Sequence, residues 1–172
     1  MVNKNIVLSL CLCLNAIPNL GQSSQLLNCK IEEVNQKLNV RITLSGTVVD
    51  SWKSVSYEPV ETEKAIVRYL DILLNEYSKY PPNYLSQAHI SSIVLTQNLR
   101  FNGQPRAAIP DPYKNQLYLS INGAFGIDSH RYLTHVMHHE LHHCTEYAIW
   151  KSMSYDWIEW YALNSQDFCY GD

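Results

Sequence analysis

The chain has 172 residues, a length that fits one domain rather than two. Hydrophobic residues make up 46% of it and charged residues 17%, too apolar a balance for intrinsic disorder. A net charge of -3 with no Lys/Arg cluster leaves no electrostatic footprint for nucleic acid and argues against such a partner.

The N-terminus reads differently from the rest. "MVNKN" carries one positive charge, "IVLSLCLCL" is a nine-residue apolar run, and "NAIPNLGQSSQ" follows with a helix breaker and small residues. That is the layout of a secretory signal peptide, and the run is too short to span a bilayer. Residues 1–21 are therefore expected to be removed, with cleavage after Gly21 or Ser23. Residues 22–172 then form a single domain of a secreted or periplasmic protein. Cys11 and Cys13 lack the small residue that precedes a lipid-modified cysteine. No other segment is apolar enough for a membrane span. Cys29, Cys144 and Cys169 remain, enough for one disulfide plus a free thiol or for none, and their spacing matches no cysteine-based zinc motif.

In chain order, residues 23–38 are mildly helical and "VRITLSGTVV" (40–49) is β-branched and partly alternating, which predicts a strand. "SWKSVSYEPV" (51–60) reads as a loop. "ETEKAIVRYLDILLNEYSKY" places Ile66, Tyr69, Leu70, Leu73, Leu74 and Tyr77 at helical spacing, and Pro81 and Pro82 end that helix. "SSIVLTQNL" (91–99) suits a buried strand. "RFNGQPRAAIPDPYKN" (100–115) reads as a turn-rich loop, with Gly103, Pro105, Pro110 and Pro112 as breakers. "QLYLSI" (116–121) is a further strand, and the stretch from 129 to 150 is a long helix with Asp128 or Ser129 as its N-cap. The order is that of an α+β domain with a small mixed sheet.

The last helix holds "HVMHHELHHCTEY" (135–147), with five of the seven histidines. At about 100° per residue, Leu133, Met137, Leu141, Cys144 and Ala148 form one buried stripe. His135, His139 and His143 form a row roughly opposite, and His138 and His142 fall on a flanking, exposed side. His139-Glu140-Leu141-His142-His143 is an HExxH motif. Two imidazoles four residues apart stand one turn apart on one face and can both reach a zinc ion. The glutamate between them is offset from the ligand position. It can take a proton from a zinc-activated water and pass it to a leaving amine. The assignment is His139 and His143 as metal ligands, Glu140 as the catalytic base, and Zn2+ as the cofactor; imidazoles with a carboxylate also suit other divalent ions.

On this motif the sequence resembles the zincin metallopeptidases. The resemblance implies a strand beside the active-site cleft, a backing helix behind it and the HExxH helix across the middle. Residues 61–79, 91–99, 116–121 and 129–150 can be laid onto that plan. The pattern departs from the family in its third ligand. A metzincin extension needs Gly at 146 and His at 149, where this chain has Glu146 and Ile149, and no histidine follows His143. A third ligand on the C-terminal side is then acidic: Glu146, Asp156, Glu159, Asp167 or Asp172, with Glu159 the candidate carried forward. Glu146 lies on the ligand helix itself, where a place behind a ligating histidine or simple solvation suits it better.

The ending "DWIEWYALNSQDFCYGD" resembles a stretch of some secreted bacterial zinc metallopeptidases of glutamate-zincin type, through Trp160, Leu163, Asn164, Phe168, Tyr170 and Gly171; Ser165 stands where they have proline. In those proteins the chain continues to the helix with the acidic ligand, which implies here a truncated protein or a third ligand beyond the end. The tail's aromatics can line a cleft or pack a core, and packing is the commoner use. The expected function is hydrolysis of peptide bonds in a peptide or protein substrate, provided a third ligand is supplied. The alternative is a degenerate zincin that binds zinc or peptide without turnover.

Overall fold

The computed structural model describes residues 20–44 and 54–151. Along the chain run helix α1 (Leu20–Leu38), strands β1 (Arg41–Leu44) and β2 (Val55–Glu58), and helices α2 (Glu63–Tyr77) and α3 (Tyr84–Gln87). Strands β3 (Ser92–Phe101), β4 (Gln104–Pro105), β5 (Ala108–Asp111) and β6 (Gln116–Ser120) follow, and helix α4 (His130–Trp150) closes the described chain. The result is a mixed α+β fold with one six-stranded sheet.

Strands β1, β3 and β6 lie side by side and parallel, in register at Ile42, Ile93 and Leu117, and β5 joins antiparallel to β6, Ala108 opposite Leu119. Strand β3 is ten residues long, so its second half outruns its parallel neighbours and pairs antiparallel with β2 and β4 instead. Alternation decides which side chains face which layer. Ile93, Leu95, Leu117, Leu119 and Ala108 join α1, α2 and α4 in one core that holds Val34, Leu70, Leu73, Leu133, Met137 and Leu141. The residues between them, Val94, Tyr118 and Ile109, pack on the opposite face with Leu99 and the half-buried Val55 and Tyr57 of β2. Apolar side chains on both faces make β3 and β6 the buried centre of the sheet.

Two stretches read from sequence as loops contain strands. Residues 51–60 hold β2, whose Val-Ser-Tyr-Glu alternation turns Val55 and Tyr57 inward and leaves Ser56 and Glu58 exposed. Residues 100–115 hold β4 and β5. Asn102 and Gly103, both at positive φ (51° and 77°), make the tight turn from β3 into β4. Pro110 sits inside β5, which the sheet tolerates because β5 ends that side of the strand order. The predicted strand at 40–49 is observed over 41–44, and residues 45–53 lie outside the described set, as do residues 1–19, which cover nearly all of the expected signal peptide. Cys29 and Cys144 are free thiols, one exposed and one buried, and no disulfide joins them. Among the described residues no helix is long and apolar enough to cross a membrane.

Candidate metal centre

Helix α4 is started by its sequence. Ser129 is the N-cap, as expected, and its Oγ accepts from the Tyr132 amide at 3.3 Å. The approach to it turns at Gly123, whose φ of +64° and crowding admit no side chain: a Cβ there would lie 2.0 Å from the Ile127 carbonyl oxygen. Leu133, Met137, Leu141 and Cys144, with Val136 beside them, are buried as the stripe predicts, and Ala148 is half-buried. Burial of that stripe fixes the rotation of the helix and turns the histidine row outward.

On that row the His139 and His143 rings meet nearly at right angles, their centroids 4.6 Å apart, and their Nε2 atoms face each other at 3.1 Å. Two nitrogens bound tetrahedrally to zinc at ~2.0–2.1 Å stand roughly 3.3 Å apart, so the pair fits a shared ion with little adjustment. His135 stacks on His139 at 5.9 Å. Partial desolvation, followed by the neighbouring imidazoles of His143, His135 and His142, lowers the pKa of His139. That favours the neutral ring, the form that ligates.

Glu140 lies between the row and the buried stripe and is itself half-buried. Burial raises its carboxyl to about 7, against a weaker downward pull from His143 and from Arg106, which lies between β4 and β5. In the metal-free chain such a carboxyl can both take and return a proton near neutral pH, and a cation bound beside it would draw its pKa back down. Nothing in the local sequence singled out Arg106; it comes near α4 only because β5 packs against that helix.

The flanking histidines part ways. His142 is 69% exposed in its side chain and reaches Glu146 at 3.3 Å. His138, expected to be exposed, is instead bonded at both ring nitrogens to helix α2 or the turn after it. Its Nε2 stands 2.9 Å from Glu76 Oε2 and its Nδ1 2.7 Å from the Tyr80 hydroxyl. A carboxylate only accepts, so Nε2–H donates to Glu76, and in the neutral ring Nδ1 then accepts from the Tyr80 hydroxyl. One residue earlier, the buried Tyr77 hydroxyl donates to the Met137 carbonyl oxygen at 3.0 Å. Helix α2 thus grips α4 at residues 137 and 138, directly ahead of His139. These partners are about sixty positions apart, and no local pattern announces them.

Of the acidic residues considered for a third ligand, Glu146 bonds His143 Nδ1 at 3.1 Å, while Asp156, Glu159, Asp167 and Asp172 lie outside the described residues. Among the described residues no group of three or more His, Cys, Asp or Glu side chains is arranged to hold a metal. The tail's Tyr155, Trp157, Trp160 and Tyr161 are likewise outside, while Tyr147 packs edge-on to Tyr113 at 5.8 Å. No family model matches the chain, and no curated protein or solved structure matches it either.

Proposed function

We propose that the chain is a secreted or periplasmic zinc metallopeptidase of zincin-like architecture, acting on a peptide or protein substrate. The observation that carries the reading is the pair of Nε2 atoms converging at 3.1 Å on an HExxH helix, with the half-buried Glu140 next in sequence to His139 and offset from the row. The layout supports it too: α2 backs α4, and the antiparallel strand β5 runs alongside the motif helix.

In this reading His139 and His143 hold the zinc, and Glu159, in the tail, is the candidate third ligand. A bound zinc supplies Lewis acidity, drawing charge from a carbonyl oxygen and bringing the pKa of water toward neutrality. Glu140 takes the proton of the attacking water and delivers it to the nitrogen of the leaving amine. An extended substrate laid along β5 brings its backbone to α4.

A second reading is zinc or peptide binding without turnover, because the sequence supplies only His139 and His143 as an HExxH pair and no further histidine after them. Assays on casein or a peptide library separate the two. The peptidase reading expects cleavage that a chelator abolishes and added zinc restores. Cleavage indifferent to chelation contradicts it, and stoichiometric zinc with no cleavage selects the second reading.

A further inference from the structure

We propose that Glu146 is a positioning residue: its carboxylate holds the Nδ1–H of His143, so that the Nε2 lone pair of that ring is turned toward His139. The tautomer half of this inference stands on geometry alone; its consequence for metal binding rests on the zinc reading above.

Glu146 Oε2 lies 3.1 Å from His143 Nδ1, and Oε1 lies 3.3 Å from His142 Nε2. Both oxygens are therefore engaged, and the side chain is only 17% exposed. In a neutral imidazole one nitrogen carries the proton and the other the lone pair. A carboxylate at Nδ1 selects the Nδ1–H form and leaves Nε2 as the acceptor. The Nε2 of His143 is the atom that meets His139 at 3.1 Å. A histidine ligand oriented by a carboxylate on its other nitrogen is more basic and held in a fixed plane. Here the carboxylate comes from the same helix, three residues on, so a single turn of α4 contains both the ligand and the group that orients it.

The same geometry removes Glu146 from the third-ligand candidates. The two ring nitrogens sit on diverging edges of the imidazole. A carboxylate bonded at Nδ1 cannot also reach an ion at Nε2 without abandoning His143. The third ligand belongs to another segment.

The test uses the full chain and its Glu146→Gln, Glu146→Ala and His143→Ala variants, with helical content checked by circular dichroism. Long-range 1H–15N spectra of the metal-free protein, above the imidazole titration range, report the His143 tautomer; the His143→Ala spectrum assigns it. Competition with a chromophoric chelator reports the affinity for zinc alone. The wild type is expected to hold His143 as Nδ1–H, and Glu146→Ala to move it toward Nε2–H. Zinc affinity is expected to fall about 10–100-fold in Glu146→Ala and less in Glu146→Gln, whose amide oxygen still accepts. An unchanged tautomer in Glu146→Ala overturns the proposal, as does zinc affinity that stays within twofold. A loss as large as that of His143→Ala overturns it as well, by making Glu146 a direct ligand. If the wild type takes up no zinc, the metal reading fails separately, and the tautomer alone decides whether Glu146 holds His143.

Discussion

In the peptidase reading, Glu140→Gln is expected to lower peptide hydrolysis by about 10²–10⁴-fold, the range a positioned general base contributes, while zinc uptake stays at the wild-type level. The amide keeps the shape and much of the hydrogen bonding of the carboxyl but cannot accept a proton. Glu140 is offset from the His139–His143 row, so its replacement leaves both imidazoles in place. A second readout follows from burial. With its carboxyl raised from the ordinary value of 4.5 to about 7, an ionised Glu140 weakens the fold as the pH climbs through that interval. The neutral amide relieves this cost, on the order of 1–2 kcal/mol for a half-buried group. Metal-free Glu140→Gln is therefore expected to melt several degrees above the metal-free wild type at pH 8 and to lose that advantage near pH 4. Hydrolysis within tenfold of wild type takes Glu140 out of the chemistry, and an unchanged melting temperature contradicts its costly burial. A gain in stability bought with loss of turnover is a common signature of a catalytic group.

Glu76→Ala is expected to destabilise the protein by about 2 kcal/mol, the scale of hydrogen bonds to a buried charge. That corresponds to a fall of roughly 4–8 °C in Tm for a chain of this size. Glu76 is 3% exposed and accepts from Lys79 Nζ at 2.6 Å, His138 at 2.9 Å and Asn75 Nδ2 at 2.9 Å. Lys79 first, then His138, hold its carboxyl down at about 2. A depressed carboxyl stabilises the folded state above its ordinary value of 4.5, and that contribution is lost as the pH falls toward 2. The gap between wild type and Glu76→Ala in urea unfolding is thus widest at neutral pH and shrinks in acid. An equal gap at pH 7 and pH 2.5 contradicts the ionic origin of the effect. Because Glu76 acts through His138, the neighbour of His139, the variant is also expected to loosen the rotation of α4 that burial of its stripe sets.

The sequence made some of this legible and hid the rest for physical reasons. Helices α2 and α4 were readable because each buries one stripe at helical spacing, and Ser129 because a cap bonds within its own turn. The facing of His139 and His143 is a contact between residues i and i+4 and follows from helical geometry alone. Strand β5 is hidden by its proline and made a strand by pairing with β6, while β2 has an alternation of only four residues, too short to stand out from its loop without its pairing with β3. The role of His138 is hidden because Glu76 and Tyr80 reach it from about sixty residues away. Glu146 was readable as lying near the ligand side, but its choice of Nδ1 over the ion position needed side-chain geometry.

The metal content of the purified full chain, set beside that of the His139→Ala and His143→Ala variants, is the most direct measurement. Two imidazoles whose Nε2 atoms converge in this way, joined by a third ligand from the tail, predict one zinc per chain in the wild type and a loss of stoichiometric zinc in either variant. A wild type with no stoichiometric metal, or a variant that keeps its zinc, contradicts the account at its base.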